Sequence, residues 1–417
     1  MPQGFLDRRR AGRLMAEQGL DALVLAAPES ITYATGAFPG VASFWRRAGA
    51  AFVVVPSDAD APLTAIVGDL QADAFRAQSG IADVRTHPIW VETGIYDPPT
   101  DDRRDVSAIL RDSDLARGKP ERTARPGQYD LGKALELLRD ALSERGLANA
   151  RAGLELGFVP ARDLPAFEMA LPKVTWVDAT HLVERLRAIK SPIEIDRLRK
   201  AAEFSVAGIR TLLRSIEPGM DPARMTEIWR NAALAEAARR KLPPPASNWA
   251  YIAVGGDGFA PGGPAQPGDL IKIDVGCVIE GYSSDCGRTA VLGAPSLPQR
   301  RVHDALRTAF EVGLGLLAPG ARLAHVYRAV AQSMWASGFT TYGRGHFGHG
   351  VGASIWSEEW PFITAEATAI AEPGMVLAFE TPYYIAGLGG FIIEDQVLVT
   401  DAGIEVMTAL PCDLAEV

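Results

Sequence analysis

Cysteine is nearly missing: Cys277, Cys286 and Cys412 are the three thiols of a 417-residue chain. Three is odd, and a core this large needs no staples. A disulfide framework is therefore excluded, and the thiols read as buried groups of a reducing compartment. The expected location is the cytoplasm. No window approaches ~18 consecutive apolar residues, which excludes a membrane-spanning helix. The stretch MPQGFLDRRRAGRLMAEQG is basic but has no apolar run before a cleavage site, so it does not read as a secretory signal. Positive charge is short as well: 42 Lys and Arg stand against 51 Asp and Glu, a formal net charge of −9. Without a basic cluster the chain is no dedicated nucleic-acid binder, and it suits an anionic membrane surface poorly. A P-loop, an HExxH helix and a G-x-S-x-G elbow are all absent.

What is present is the composition of a soluble globular protein, 47 % hydrophobic and 22 % charged. At ~100–200 residues per domain the length calls for two or three domains. In the first half short apolar strands alternate with amphipathic helices. The spacing predicts a helix over 5–18, stopped by Gly19, and strands over 22–26 (closed by Pro28), 51–55, 64–67, 153–156 and 175–177. A helix over 131–147 carries Leu135, Leu137, Leu138 and Leu142 on its buried side. This alternation predicts a small α/β domain with a mixed or parallel sheet. Residues 92–128 are rich in Pro, Asp and Arg and poor in apolar periodicity. They read as a long surface excursion, either a tolerated insertion or a lid. A helix over 181–190 breaks at Ser191-Pro192, with Ser191 as the cap and Pro192 in the first turn of the next helix. The domain boundary falls here.

Four stretches of the second half could carry chemistry. In LIKIDVGCVIEGYSSDCGRTAVL, residues 270–292, two apolar runs flank Glu280-Gly281. A hairpin turning at Ile279-Glu280 sets Asp274 opposite Asp285, with Cβ atoms ~4.5–5.5 Å apart. Two carboxylates that close repel unless one is protonated or a cation lies between them. Burial in an apolar strand adds to the cost, and a divalent metal resolves both problems. In GRGHFGHGVG, residues 343–352, His349 lies between glycines that let backbone approach a ligand, and His346 is three residues before it. Glu380 ends the apolar strand after Pro373-Gly374, and Glu394 interrupts another. Four carboxylates and one imidazole suit Mn²⁺, or Co²⁺ and Zn²⁺ at higher affinity, better than a thiolate zinc site does.

The order Asp, Asp, His, Glu, Glu in these contexts resembles the pita-bread metallohydrolases: prolidase, aminopeptidase P, methionine aminopeptidase and creatinase. The family's DxG strand, second Asp, GHGxG, PGMV…E and GG…ED…LVT all have counterparts here. LDALVLAAPESITYATG at 20–36 and the IKSPIEIDRLRKAAE junction are similar to the creatinase-type N-terminal domain. The resemblance spans nearly the whole chain. It implies a creatinase-like α/β N-terminal domain over 1–185 and an α+β C-terminal pita-bread (creatinase/aminopeptidase) domain over 186–417. It also implies metal ligands at Asp274, Asp285, His349, Glu380 and Glu394, two divalent ions, Mn²⁺ first among them, and a homodimer. The activity implied is hydrolysis of an amide or related C–N bond in a small peptide or other small molecule.

Several positions depart from the prolidase pattern. The histidine expected before the first aspartate strand is absent, and Gly262 takes its place. The histidine expected in an HExP motif is replaced by Trp356 or by Glu358, depending on the match to SIWSEEWP. Gly345 stands four residues before His349, with His346 adjacent, and Ile392 stands where an arginine is usual. The metal shell reads as intact and the substrate shell as rewritten. Two readings of the substrate follow: an Xaa-Pro dipeptidase or aminopeptidase, or a non-peptidase relative acting on a small C–N compound, creatinase-like or ectoine-hydrolase-like, or a lyase. In either, Glu380 is the candidate to move a proton and His346 to contact the substrate carbonyl or its oxyanion. Trp356 and Glu358 would line the substrate pocket, while Trp360 reads as core.

Overall fold

The computed structural model describes residues 4–94, 96, 105–118, 124–353 and 358–417, and divides into two compact units, Met1–Val183 and Glu184–Val417. In the first unit the strands β1 (Ala22–Leu25), β2 (Phe52–Pro56), β3 (Thr64–Gly68), β4 (Asp83–His87), β5 (Arg151–Leu154) and β6 (Thr175–Asp178) form one sheet, ordered β4-β3-β2-β1-β5-β6. Pairs β1–β5, β5–β6 and β3–β4 are parallel and both pairs of β2 are antiparallel, so the sheet is mixed. Strands β1 to β3 read as unbroken apolar runs because every residue in them is buried. Helix Leu131–Glu144 brings Ala134, Leu135, Leu138 and Leu142 into one core with Val24, Phe52 and Val54, while Leu137 is only partly buried.

Two features of this unit differ from the expectation. Pro28 opens a helix, Pro28–Thr35, instead of merely closing β1; its fixed φ suits the first helical turn. The segment 92–128 is not wholly irregular. Its described residues include helix Val106–Ala116, which buries Ile109, and Arg125 pairs with Asp69 at 2.8 Å. The short apolar face of that helix is too narrow to stand out among Asp and Arg.

In the second unit Ser191 caps helix Pro192–Leu213, and Glu194 returns the bond in a reciprocal capping box. The strands are β7 (Ser247–Ala250), β8 (Ala253–Val254), β9 (Leu270–Ile279), β10 (Tyr282–Ser283), β11 (Cys286–Val291), β12 (His346–Gly350), β13 (Glu359–Thr364) and β14 (Val376–Glu380), then β15 (Tyr383–Ile385), β16 (Gly389–Phe391) and β17 (Glu394–Thr400). An eleven-stranded sheet runs β10-β9-β11-β17-β14-β12-β13, with β7 and β8 on β9 and two further short strands at its side. Strands β15 and β16 form a separate ribbon.

Helices cover one face of this sheet. Pro192–Leu213 and Pro222–Arg239 pack Phe204, Ile209 and Trp229 with Ile271, Ile273 and Val275 of β9. Leu297–Leu316 and Leu323–Ala336 pack Phe310, Val330 and Met334 with Leu377, Phe379 and Val397. Because side chains alternate along a strand, the residues between these point to the opposite face. Asp274, Glu380 and Glu394 are among them. Among the described residues no helix is long and apolar enough to cross a membrane.

Candidate active site

The sheet register lines up the acidic residues. Asp274 on β9 pairs with Gly287 on β11, Gly287 pairs with Glu394 on β17, and Glu394 pairs with Glu380 on β14. One row across four strands therefore reads Asp, Gly, Glu, Glu. Directly opposed residues keep their Cβ atoms ~4.5–5.5 Å apart, so Glu380 and Glu394 are close neighbours. Asp285, expected in this row opposite Asp274, lies outside it. The hairpin turns on Glu280 and Gly281, with φ of 47° and 85°, one residue later than expected. Asp274 consequently faces Gly287, and Asp285 lies two residues before Gly287, in the gap between β10 and β11. A shift of two residues leaves both aspartates on the same face.

His349 enters from β12, opposite Ala378, two residues before Glu380 on β14. Its Nδ1 is 3.0 Å from the Gly350 carbonyl oxygen, which can only accept. The proton therefore sits on Nδ1, and Nε2 presents its lone pair 3.6 Å from Asp285 Oδ2. Ligating atoms of Asp285, His349 and Glu394 all lie within 4.8 Å of one another, and all three residues are buried. A buried trio of two carboxylates and an imidazole is a donor set that fits one divalent ion.

Strand β12 is irregular. Gly348 has φ of 138°, and a Cβ there would meet the Ala378 oxygen at 2.2 Å. The register slips between His346 and His349. Phe347 turns into the core, while His346, three residues from His349 and not two or four, reaches the same neighbourhood. Its ring centroid is 5.9 Å from that of His349, and its Nδ1 is 3.5 Å from Glu380 Oε1. Burial lowers the His346 pKa, against the opposing pull of Glu380, so its neutral form is favoured.

Crowding of like charges is visible in the titration of the carboxylates. Burial pushes Glu394 well above the usual carboxylate range, and Asp285, Glu380 and Asp274 push it further. Burial also raises Asp274, with Lys272 pulling the other way. Two cations missed by sequence reasoning stand in this cluster. Lys272 Nζ donates to Asp274 Oδ2 at 3.0 Å, and Arg344 Nη2 to Glu380 Oε1 at 2.6 Å. A signal for Lys272 existed, since i and i+2 on a strand share a face. Arg344 sits in a glycine-rich loop with no periodicity to read.

The remaining substrate-side positions divide. Trp356 lies outside the described residues. Glu358 is exposed, and its charge acts on His346. Trp360 is partly buried against the helical core. Gly262 has φ of 76° and sits against Val254, whose oxygen a Cβ would meet at 2.0 Å, so this loop conformation admits no histidine there. Ile392 is buried, with its side chain over Gly287 between Asp274 and Glu394.

A helix-backed sheet gathering Asp274, Asp285, His349, Glu380 and Glu394 on the face away from its helices is the architecture of a pita-bread metallohydrolase. The chain belongs to metallopeptidase family M24, whose profile matches residues 196–401, and the creatinase/prolidase N-terminal domain profile matches residues 8–97. It is 31 % identical to the Xaa-Pro dipeptidase of Pyrococcus furiosus over 234 residues, 54 % of this chain and 65 % of that protein. It is 28 % identical to the ectoine hydrolase of Halomonas elongata over 293 residues, 67 % of this chain and 73 % of the relative. Its fold matches the solved Xaa-Pro dipeptidase of Bacillus anthracis with a TM-score of 0.75 at 21 % identity, covering 98 % of this chain and 99 % of that one. The protein is a metallohydrolase with the pita-bread fold.

Proposed function

We propose that the protein hydrolyses an amide bond in a small peptide of the Xaa-Pro type. The supporting observation is the row of Asp274, Glu394 and Glu380 joined by Asp285 and His349, with three ligating groups within 4.8 Å. Asp285, His349 and Glu394 would hold one divalent ion, and Asp274 and Glu380 would complete a second position. Such ions, Mn²⁺ first among the candidates, supply a water nucleophile ionised near neutral pH and a Lewis acid for the carbonyl. Glu380 takes the proton of the attacking water and returns it to the leaving nitrogen. His346, beside Glu380, donates to the carbonyl oxygen as it gains charge. Strand β9 and the loop around Gly348 hold these groups in place before substrate arrives.

A second reading, a small-molecule C–N hydrolase of the kind the ectoine hydrolase relative represents, is favoured by the apolar Ile392 over the acidic row and by a Gly262 loop closed to histidine. One screen tests both. Mn²⁺-loaded protein is offered Xaa-Pro dipeptides beside guanidino, ectoine-like and sulfonium compounds, with Asp285→Asn as control. Turnover of a dipeptide supports the first reading and turnover of a non-peptide alone the second. Ordinary Xaa-Pro dipeptides should turn over below the ~10⁴–10⁸ M⁻¹s⁻¹ efficiency of well-adapted enzymes. Full activity in chelator-stripped protein would overturn both readings.

A further inference from the structure

The hydrolytic reading leaves a buried ion cluster of the second unit without a task. Arg187 and Lys190, in the residues leading into helix Pro192–Leu213, meet Glu359 at the start of β13. Arg187 Nη2 donates to Glu359 Oε1, and Lys190 Nζ lies 3.7 Å from Glu359 Oε2. The Lys190 side chain is 1 % exposed, and among the described residues its ammonium has no hydrogen-bond partner. Glu194, the other acid near Lys190, is occupied elsewhere: it accepts from the Tyr282 hydroxyl at 2.9 Å and from the Ser191 amide at 2.7 Å. Burying ions in this way is weak support for a fold, and its best-attested use is to fix a register.

A register that needs fixing lies beside the cluster. Strand β12 slips against β13 between His349 and Gly350, and Gly350 pairs with Glu359 itself. The Gly350 carbonyl holds the Nδ1 proton of His349, so the direction of that carbonyl decides where Nε2 points. Residues 351–353 follow at once, and each is gripped through its backbone. The Val351 amide donates to the Val376 carbonyl oxygen at 3.1 Å, and the Ser283 amide to that of Gly352 at 3.1 Å. The third grip comes from a side chain: Arg187 Nη2 donates to the Ala353 carbonyl oxygen at 3.1 Å. Glu359 in turn fixes the guanidinium. The chain packs directly on this pair, since a Cβ on Gly352 would meet Glu359 Oε2 at 2.6 Å and Lys190 Cε at 3.1 Å.

We propose that Arg187 and Glu359 are positioning residues, which hold the 350–353 backbone and through the Gly350 carbonyl aim His349 at the metal position. The inference rests on the metal-dependent reading of the site. Its test titrates full-length, metal-stripped protein with Mn²⁺, and the electron paramagnetic resonance signal of the free ion gives the affinity. Arg187→Met should weaken Mn²⁺ binding ~10–100-fold, the usual cost of losing a group that orients a metal ligand. Lys190→Met takes a charge from the same cluster but no bond from the 351–353 backbone. It should lower the urea midpoint as Arg187→Met does, yet keep the affinity within ~3-fold of wild type, well short of a lost orienting group. Glu359→Gln keeps an acceptor for Arg187 without the charge and should weaken binding by an intermediate factor. It replaces Arg187→Met in the comparison if that variant does not fold. Wild-type affinity in the variant so compared overturns the proposal. So does equal weakening in Lys190→Met, because affinity would then merely follow stability. Wild-type protein that takes up no Mn²⁺ overturns the metal-dependent reading, and the proposal with it.

Discussion

At the scale of single residues, His346 shows how one backbone irregularity changes a side chain's prospects. On a regular strand, residues three apart face opposite ways, so His346 and His349 could not share a site. The positive φ of Gly348 breaks the alternation and brings His346 Nδ1 to 3.5 Å from Glu380. A neutral imidazole there can donate to an oxygen as it becomes negative, a contact realised mainly in the transition state. His346→Ala should lower turnover by ~10²–10³, the loss seen when one oxyanion donor is removed. Metal content by elemental analysis and the circular dichroism spectrum should not move. Wild-type turnover in that variant would show that the ring only packs under the loop. Four of the five candidate ligands stood out in the sequence because a carboxylate in or beside an apolar strand demands a partner, and His349 because glycines flank it; the structure gathers Asp285, His349 and Glu394 within 4.8 Å. Lys272 was passed over for the opposite reason: a lone lysine in a strand ordinarily extends its charge to water. Here its ammonium turns back onto Asp274.

At the scale of elements, the acidic row depends on what lies behind it. Arg288 leaves β11 on the face away from Asp274 and is 3 % exposed. It pairs with Asp395 at 2.6 Å and donates to the carbonyl oxygens of Glu394 at 2.6 Å, Gly287 at 2.7 Å and Leu410 at 2.9 Å. It thus ties β11 to β17 at the Gly287–Glu394 pair. Breaking a buried ion pair on one side leaves the other charge uncompensated, so Arg288→Met should cost about 3–5 kcal/mol. Urea unfolding of Arg288→Met and of Arg288→Met/Asp395→Leu would check this. The double variant should recover much of the loss, and equal loss in both would mean that the carbonyl bonds, not Asp395, dominate. Strand and helix positions in the first unit were largely legible from periodicity, whereas in the second unit the helices Pro222–Arg239, Leu297–Leu316 and Leu323–Ala336 were not placed. Pairing was less legible, because it depends on which two residues take positive φ at a turn. Glu280 does so against its usual preference, and the hairpin register moved by two with it.

At the scale of the whole molecule, stability should depend on pH through a group remote from the acidic row. His303 sits on helix Leu297–Leu316 and is 2 % exposed. Burial lowers its pKa from 6.5 to about 4; Asp304 and Asp413 pull it up, while Arg307 and Arg288 pull it down. An unfolded chain binds a proton at this histidine below about pH 6.5, and the folded chain does not until about pH 4. Unfolding therefore takes up a proton between those values, and stability falls as pH drops through the window. The contribution is fully present above pH 6.5 and gone below pH 4. At 1.36 kcal/mol per pKa unit, its full size is about 3 kcal/mol. Replacing the ring by an apolar group of similar bulk removes the linkage and leaves the packing roughly filled. Urea unfolding at several pH values from 7.5 to 4.5 should then show the wild-type protein losing more stability than His303→Leu as the solution is acidified. Any fixed cost of the substitution offsets the two curves without changing their difference in slope. Parallel curves would mean that His303 exchanges its proton equally well folded and unfolded, so that the acid sensitivity of the fold must come from other groups.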